Sequence, residues 1–230
     1  VNASDGRIVD RVLPFDGGRR VSVYLPSTPP TAIVFAGDGP SVAHWGELLH
    51  TAHTPPTAVV AVDGLSDEKQ RLEEYSPVFN PERFAAHEKF FVDDVPRWVR
   101  ENLDIDLSAE RTAVFGASAG GELSIALGLR HPDVYGAILS GSPGAGYRPP
   151  QSIDNPIPRV YLVAGTQEPF FLQNAERWAR ALENAGGEVI LVQRDADHGP
   201  ALWRQEFPHM VEWAFCAASL LPLSRARIRP

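Results

Sequence analysis

A single cysteine, Cys216, is all that this 230-residue chain offers to redox chemistry. An internal disulfide is thereby excluded, and because Cys216 lies in an apolar stretch it reads as a small buried hydrophobe. Long apolar runs are missing too. None approaches the roughly 18 residues that a membrane-spanning helix needs, and the opening Val1-Asn-Ala-Ser-Asp5 has neither the basic start nor the apolar centre of a signal sequence. A soluble, cytoplasmic chain is expected, although the absence of an initiator methionine leaves a trimmed leader open. Positive charge is also in deficit: 21 Lys and Arg face 29 Asp and Glu, for a net charge of −8. The largest basic group is Arg225, Arg227 and Arg229, so neither a nucleic acid nor a membrane surface is expected as a partner. Internal repeats and low-complexity segments are absent as well.

Proline, by contrast, is plentiful. Its 21 residues are about twice the usual share of ~5%, and they fall mainly between apolar segments, where proline marks loops and first helical turns. A hydrophobic content of 43% suffices for one full core, and a single domain over residues 1–230 is expected. Residues 7–13 and 19–25 read as two strands joined through Asp16-Gly-Gly18, an antiparallel hairpin for one edge of a sheet. Thereafter the apolar runs are short and continuous: 32–36, 58–62, 112–115, 136–139, 160–164 and 189–192. Strands buried on both faces have this look. Helical patterns at about 41–53, 83–103, 119–130, 170–185 and 200–221 alternate with them, which implies a mostly parallel sheet with helices on both faces. Pro96 and Pro208 should kink or restart their helices. Trp203, Phe207, Val211 and Ala214 share one stripe and are expected to pack on the sheet. The connection from Gly64 to Arg83 lacks apolar periodicity, is rich in charged and aromatic residues, and is read as a wall of a ligand site.

The chemistry centres on Thr112-Ala-Val-Phe-Gly-Ala-Ser-Ala-Gly-Gly-Glu-Leu123, where an apolar strand meets Gly-x-Ser-x-Gly and turns helical. A serine at such a turn is lifted clear of the sheet in a strained conformation, and Gly116 and Gly120 must be small to let the backbone close. A serine hydroxyl is a weak nucleophile, so Ser118 needs a histidine to take its proton and a carboxylate to orient that histidine. His198, between the last strand and the last helix, is in the right place for the base. Glu168, at the end of the preceding strand, is the first choice of acid; Asp195 and Asp197 remain alternatives, as does a serine–histidine dyad. The oxyanion would be held by the amide of Ala119 and by that of Asp38 or Gly39, in Gly37-Asp-Gly-Pro40. His50 and His53 have a spacing that could hold a metal, but no third ligand accompanies them, and neither a metal nor another cofactor is expected. His87, His131 and His209 read as solvated or capping groups. Gly141-Ser-Pro-Gly-Ala-Gly146 reads as a loop at the ligand edge of the sheet, since it lacks the spacing of a phosphate loop.

Phe115-Gly-Ala-Ser-Ala-Gly-Gly121, Gly165-Thr-Gln-Glu-Pro169, His198-Gly-Pro-Ala-Leu-Trp-Arg204, Arg71-Leu-Glu-Glu-Tyr75 and Phe35-Ala-Gly-Asp-Gly39 together resemble the enterochelin-esterase and esterase-D branch of the α/β-hydrolases. The resemblance covers about residues 20–220. It implies an α/β-hydrolase fold without a cap domain and a serine carboxylic-ester hydrolase acting through an acyl-enzyme on Ser118. A siderophore lactone or another small or aromatic ester would be the substrate. Arg71, Tyr75, Phe170 and Trp203 are expected to contact it. The same branch implies a mycolyltransferase-like acyltransferase as an alternative, and a ligand-binding protein without turnover is the reading from another class.

Overall fold

Short strands buried on both faces need hydrogen-bond partners on both sides. In the computed structural model of this chain, which describes residues 6–216, they find them in one eight-stranded sheet. Strands β1 (Arg7–Leu13), β2 (Arg19–Leu25), β3 (Ala32–Ala36), β4 (Thr57–Val62), β5 (Thr112–Ala117), β6 (Ala137–Gly141), β7 (Arg159–Gly165) and β8 (Val189–Arg194) lie in the order β1-β2-β4-β3-β5-β6-β7-β8. The pairs β1/β2 and β2/β4 are antiparallel, and from β4 to β8 the sheet is parallel. The N-terminal hairpin occupies one edge, as its alternating pattern predicts. At its turn Asp16, Gly17 and Gly18 all have positive φ, a conformation that two glycines adopt without steric penalty.

Each strand alternates its side chains between two apolar layers. Ile33, Phe35, Val60, Val114, Ile138 and Leu162 face one layer, where the helices contribute Phe84, Phe91, Leu123, Leu127 and Trp178. Val34, Val59, Phe115, Leu139 and Val163 face the other, against Trp45, Leu49, Leu202, Phe207 and Val211. The first of these faces carries α2 (Glu68–Tyr75), α3 (Pro81–Lys89), α4 (Val95–Leu103), α5 (Ala119–Arg130) and α6 (Pro169–Asn184); the second carries α1 (Gly39–Ala43) and α7 (Pro200–Phe215).

Four expectations change. The 64–83 connection is not free of regular structure, since α2 fills its centre, capped by Asp67, whose side chain accepts from the Gln70 amide. The helix expected over 83–103 is two α-helices joined by a π-helical turn at Phe90–Asp94, with Pro96 in the first turn of the second; its missing N–H is harmless there. The helix expected over 41–53 is the five-residue α1 followed by a 3-10 helix, His44–Thr51. At Pro208, however, α7 does not restart: Phe207, Met210 and Val211 are fully buried and hold that turn on the sheet despite the lost backbone donor. Residues 217–221 of the expected last helix and the C-terminal arginines lie outside the described residues.

Candidate active site

The site forms at the C-terminal ends of the parallel strands, where β5 breaks into α5. Ser118 has φ 56° and ψ −119°, a strained combination that persists only when its surroundings fix it. They do so through the loop after β6: the Ser118 amide donates to the Gly141 carbonyl at 2.9 Å, and the Ser118 carbonyl accepts from the Gly144 amide at 3.2 Å. A Cβ at Gly116 would collide with the Gly120 carbonyl, and one at Gly120 would meet Asp38 Oδ2 at 2.9 Å. Both glycines are therefore conditions of the turn. Ala119, as the first residue of α5, keeps its N–H outside the helical ladder.

Ser118, His198 and Glu168 come together as the sequence anticipated. His198 Nε2 lies 3.1 Å from Ser118 Oγ, and His198 Nδ1 forms a short hydrogen bond with Glu168 Oε2. The imidazole is partly open, with its side chain 30% exposed, whereas the carboxylate is 2% exposed. Glu168 Oε1 accepts from the Gly165 amide and from Ser142 Oγ, each at 2.5 Å, so the buried charge has donors on both oxygens. Asp195 instead accepts from Gln167 Nε2 at 2.8 Å and Thr166 Oγ1 at 3.2 Å, and Asp197 is exposed. The His198 ring stacks on Phe171 at 3.7 Å and meets the Trp203 ring edge-on at 4.9 Å. An imidazolium forming there would gain a modest cation–π contribution.

In front of Ser118 opens a cavity of about 320 Å³ lined by Gly37, Asp38, Trp45, Arg71, Phe115 and Trp203, among others. Its volume is near the lower end of ligand clefts, about 300–1,000 Å³. A larger cleft of about 590 Å³ between the 3-10 helix and α7 holds no nucleophile, and chemistry decides between them. Arg71 reaches the cavity but is engaged: its Nε and Nη2 bind Asp38 Oδ1 and Oδ2 at 2.8 and 2.9 Å. Burial works against its charge, yet the paired carboxylate outweighs burial and raises the guanidinium pKa above its usual value.

One substrate expectation is corrected. Tyr75 is fully buried, enclosed between the Arg71 guanidinium at 4.8 Å and the His87 ring at 5.6 Å, so it supports the site from behind. Burial first, and then the Asp38 charge, push its hydroxyl pKa well up. Phe170 points to solvent and touches Phe171 edge-on; Phe171 is the ring that reaches the histidine. In the Gly37–Gly39 loop, expected to supply an oxyanion donor, the Asp38 amide instead donates to the Tyr75 hydroxyl at 3.0 Å, which removes it as that donor, and Gly39 lies against Asp63. Gly37, not singled out from the sequence, lines the cavity. Ser142 was also missed; its position just after β6, at the ligand edge, was the available signal. Other histidines are accounted for locally. His50 Nε2 sits 2.6 Å from Tyr24 Oη and accepts from the Gly6 amide, and His131 binds Glu88 at 2.9 Å. His87 is neither solvated nor a cap: it is fully buried among Tyr75, Phe15 and Phe91.

Comparison with solved structures finds the same fold. An enterochelin esterase from Shigella flexneri superposes with a TM-score of 0.74 at 18% identity, over 94% of this chain and 59% of its own length. The enterobactin and salmochelin hydrolase IroE gives 0.69 at 18% identity, over 91% of this chain and 97% of its own. A CE1 ferulic acid esterase from the anaerobic fungus Anaeromyces mucronatus gives 0.68 at 16%, over 91% and 90%. These likenesses establish an α/β-hydrolase architecture, and this chain spans 59% of the length of the Shigella enzyme. A search of curated protein sequences returned no match. A sequence model of the family described as "Putative esterase" matches residues 15–214, from the hairpin turn to the end of α7, and the chain belongs to that esterase family.

Proposed function

We propose that the chain is a serine carboxylic-ester hydrolase that works through an acyl-enzyme on Ser118. The observation that carries this reading is the 3.1 Å contact between Ser118 Oγ and His198 Nε2 at the mouth of the cavity, and membership in the esterase family supports it. In the first half-reaction Ser118 Oγ attacks the acyl carbon while His198 Nε2 takes the hydroxyl proton. Glu168 accepts from His198 Nδ1, fixing the tautomer and stabilising the imidazolium. The amide of Ala119, with that of Gly37 or Gly39, holds the oxyanion, since the Asp38 amide is taken by the Tyr75 hydroxyl. His198 then returns its proton to the departing alkoxide. Water repeats the sequence in the second half-reaction and frees the acid, and no step calls on a metal or cofactor.

The substrate we propose is a small or aromatic ester. Trp45, Phe115 and Trp203 give the cavity aromatic walls, while the Arg71 charge is already matched by Asp38, so a highly anionic acyl group finds no free cation among the described residues that line it. The siderophore and ferulate esters named for the similar structures both contain aromatic acyl groups and fit such walls. A fluorophosphonate probe should label Ser118, and purified protein should favour an aryl ester over a long-chain lipid ester. Preference for the lipid chain would refute the cavity reading, strong preference for a catecholate trilactone would specify a siderophore lactone, and acyl transfer to an added alcohol would reassign the chain as a transferase.

A further inference from the structure

Ser142 touches neither the cavity nor the nucleophile's hydroxyl, yet several features converge on it. It is fully buried and holds φ 44° without being glycine, a backbone cost that points to a requirement at this position. Its amide donates to the Val163 carbonyl at 2.7 Å, which ties the turn to β7, the strand that delivers Glu168. Its hydroxyl sits between two partners: Trp203 Nε1 at 2.8 Å and Glu168 Oε1 at 2.5 Å. Indole N–H can only donate, so Ser142 Oγ must accept from Trp203 and is left to donate to the carboxylate. Trp203 thereby sets the direction of the Ser142 proton. With Gly165 and Ser142 both donating to Oε1, the carboxylate plane is fixed and Oε2 is the oxygen turned to His198.

We infer that Ser142, oriented by Trp203, is a positioning residue for the acid of the triad: Trp203 Nε1–H donates to Ser142 Oγ, Ser142 Oγ–H donates to Glu168, and Glu168 accepts from His198, which locks the imidazole against Ser118. The inference rests on the hydrolase reading. It also gives Trp203 two tasks, since the same indole lines the cavity and packs on the histidine.

The test uses Ser142→Gly and Ser142→Ala. Glycine accepts the positive φ more readily than serine or alanine, which offsets part of the cost of the two lost buried hydrogen bonds, so Ser142→Gly should have a higher Tm than Ser142→Ala while sharing its loss of the hydroxyl, and comparing the two separates the hydroxyl's role from stability. Removing such an outer hydrogen bond typically costs 10–100-fold in activity. Both variants are expected to lose kcat on an aryl ester by about that factor with KM within about twofold of wild type, and to react with a fluorophosphonate correspondingly more slowly. Trp203→Phe keeps a ring but loses the donor; it should lower kcat less and raise KM as well. A kcat and labelling rate for Ser142→Gly within twofold of wild type would overturn the inference and leave the esterase reading intact. So would losses that track a fall in Tm in every variant. A wild-type protein that neither labels nor turns over esters would defeat both.

Discussion

Two stretches of this chain carry many charged and aromatic residues, and they use them in opposite ways. In residues 165–203 the polar groups converge on a partly open histidine and leave it beside the cavity. In residues 64–83 they are spent on one another and on the hairpin. Glu74, fully buried, takes Arg19 Nη1 and Nη2 at 2.9 Å each and Arg83 Nη2 at 3.0 Å, and Arg71 is matched by Asp38. The difference teaches that a polar loop near a catalytic edge is a framework when its buried charges are paired. It belongs to the chemistry when one titratable group is left facing open volume.

The largest expected effects fall in the first region. Ser118→Ala and His198→Ala should each lower ester hydrolysis by about 10⁶-fold, because nucleophile and base act as one unit. More than a few per cent of residual activity in either would break the assignment. Glu168→Gln should cost about 10²- to 10⁴-fold, while Asp195→Asn and Asp197→Asn stay near wild type; a more damaging aspartate variant would move the acid to that residue.

In the second region the effects should appear in stability. Glu74→Ala leaves Arg19 buried without its partner, which typically costs about 3–5 kcal/mol. Urea denaturation should register that loss while kcat per folded molecule is retained, and a loss of kcat without destabilisation would erase the contrast between the regions. The smallest effect concerns pH. Burial lowers the His87 pKa to about 4 from about 6.5 in the unfolded chain. The unfolded state therefore takes up this proton first as pH falls, and the contribution present above pH 6.5 is lost on the way to pH 4, amounting to about 3 kcal/mol. His87→Phe should flatten that part of the pH–stability curve, and identical curves for variant and wild type would remove His87 as the cause.

The inner strands were legible because they are apolar on both faces, which sets them apart from everything around them. β1, β2 and α5 match their expected bounds. Ser118 and His198 were legible for a different reason: a nucleophile elbow and a histidine after the last strand occupy positions that the chain order fixes. Helix α2 was not. Glu68-Lys-Gln-Arg-Leu-Glu-Glu-Tyr75 presents little besides Leu72 and Tyr75 to the core, so hydrophobic periodicity fails there, although Asp67 followed by Gln70 was a usable capping signal. The role of Tyr75 was misjudged because nearness in sequence does not say which way a side chain points. Ser142 went unnoticed because its importance lies in two hydrogen bonds to residues 26 and 61 positions away, which no local pattern encodes.

The position of β8 has a consequence for the durability of the machinery. Ser118 is delivered from β5, paired on both sides deep in the sheet, whereas the segment bearing His198 leaves β8, which among the described residues is the terminal strand, paired with β7 alone and intermediate to exposed along its length. Arg194 at the end of β8 is tied to Glu206 of α7 at 2.7 and 3.0 Å, a rivet across the histidine loop. Base and nucleophile thus sit on parts of unequal robustness. Fraying begins at the edges of a domain at free energies below the global value, so this architecture lets the periphery disarm the centre while the core remains folded.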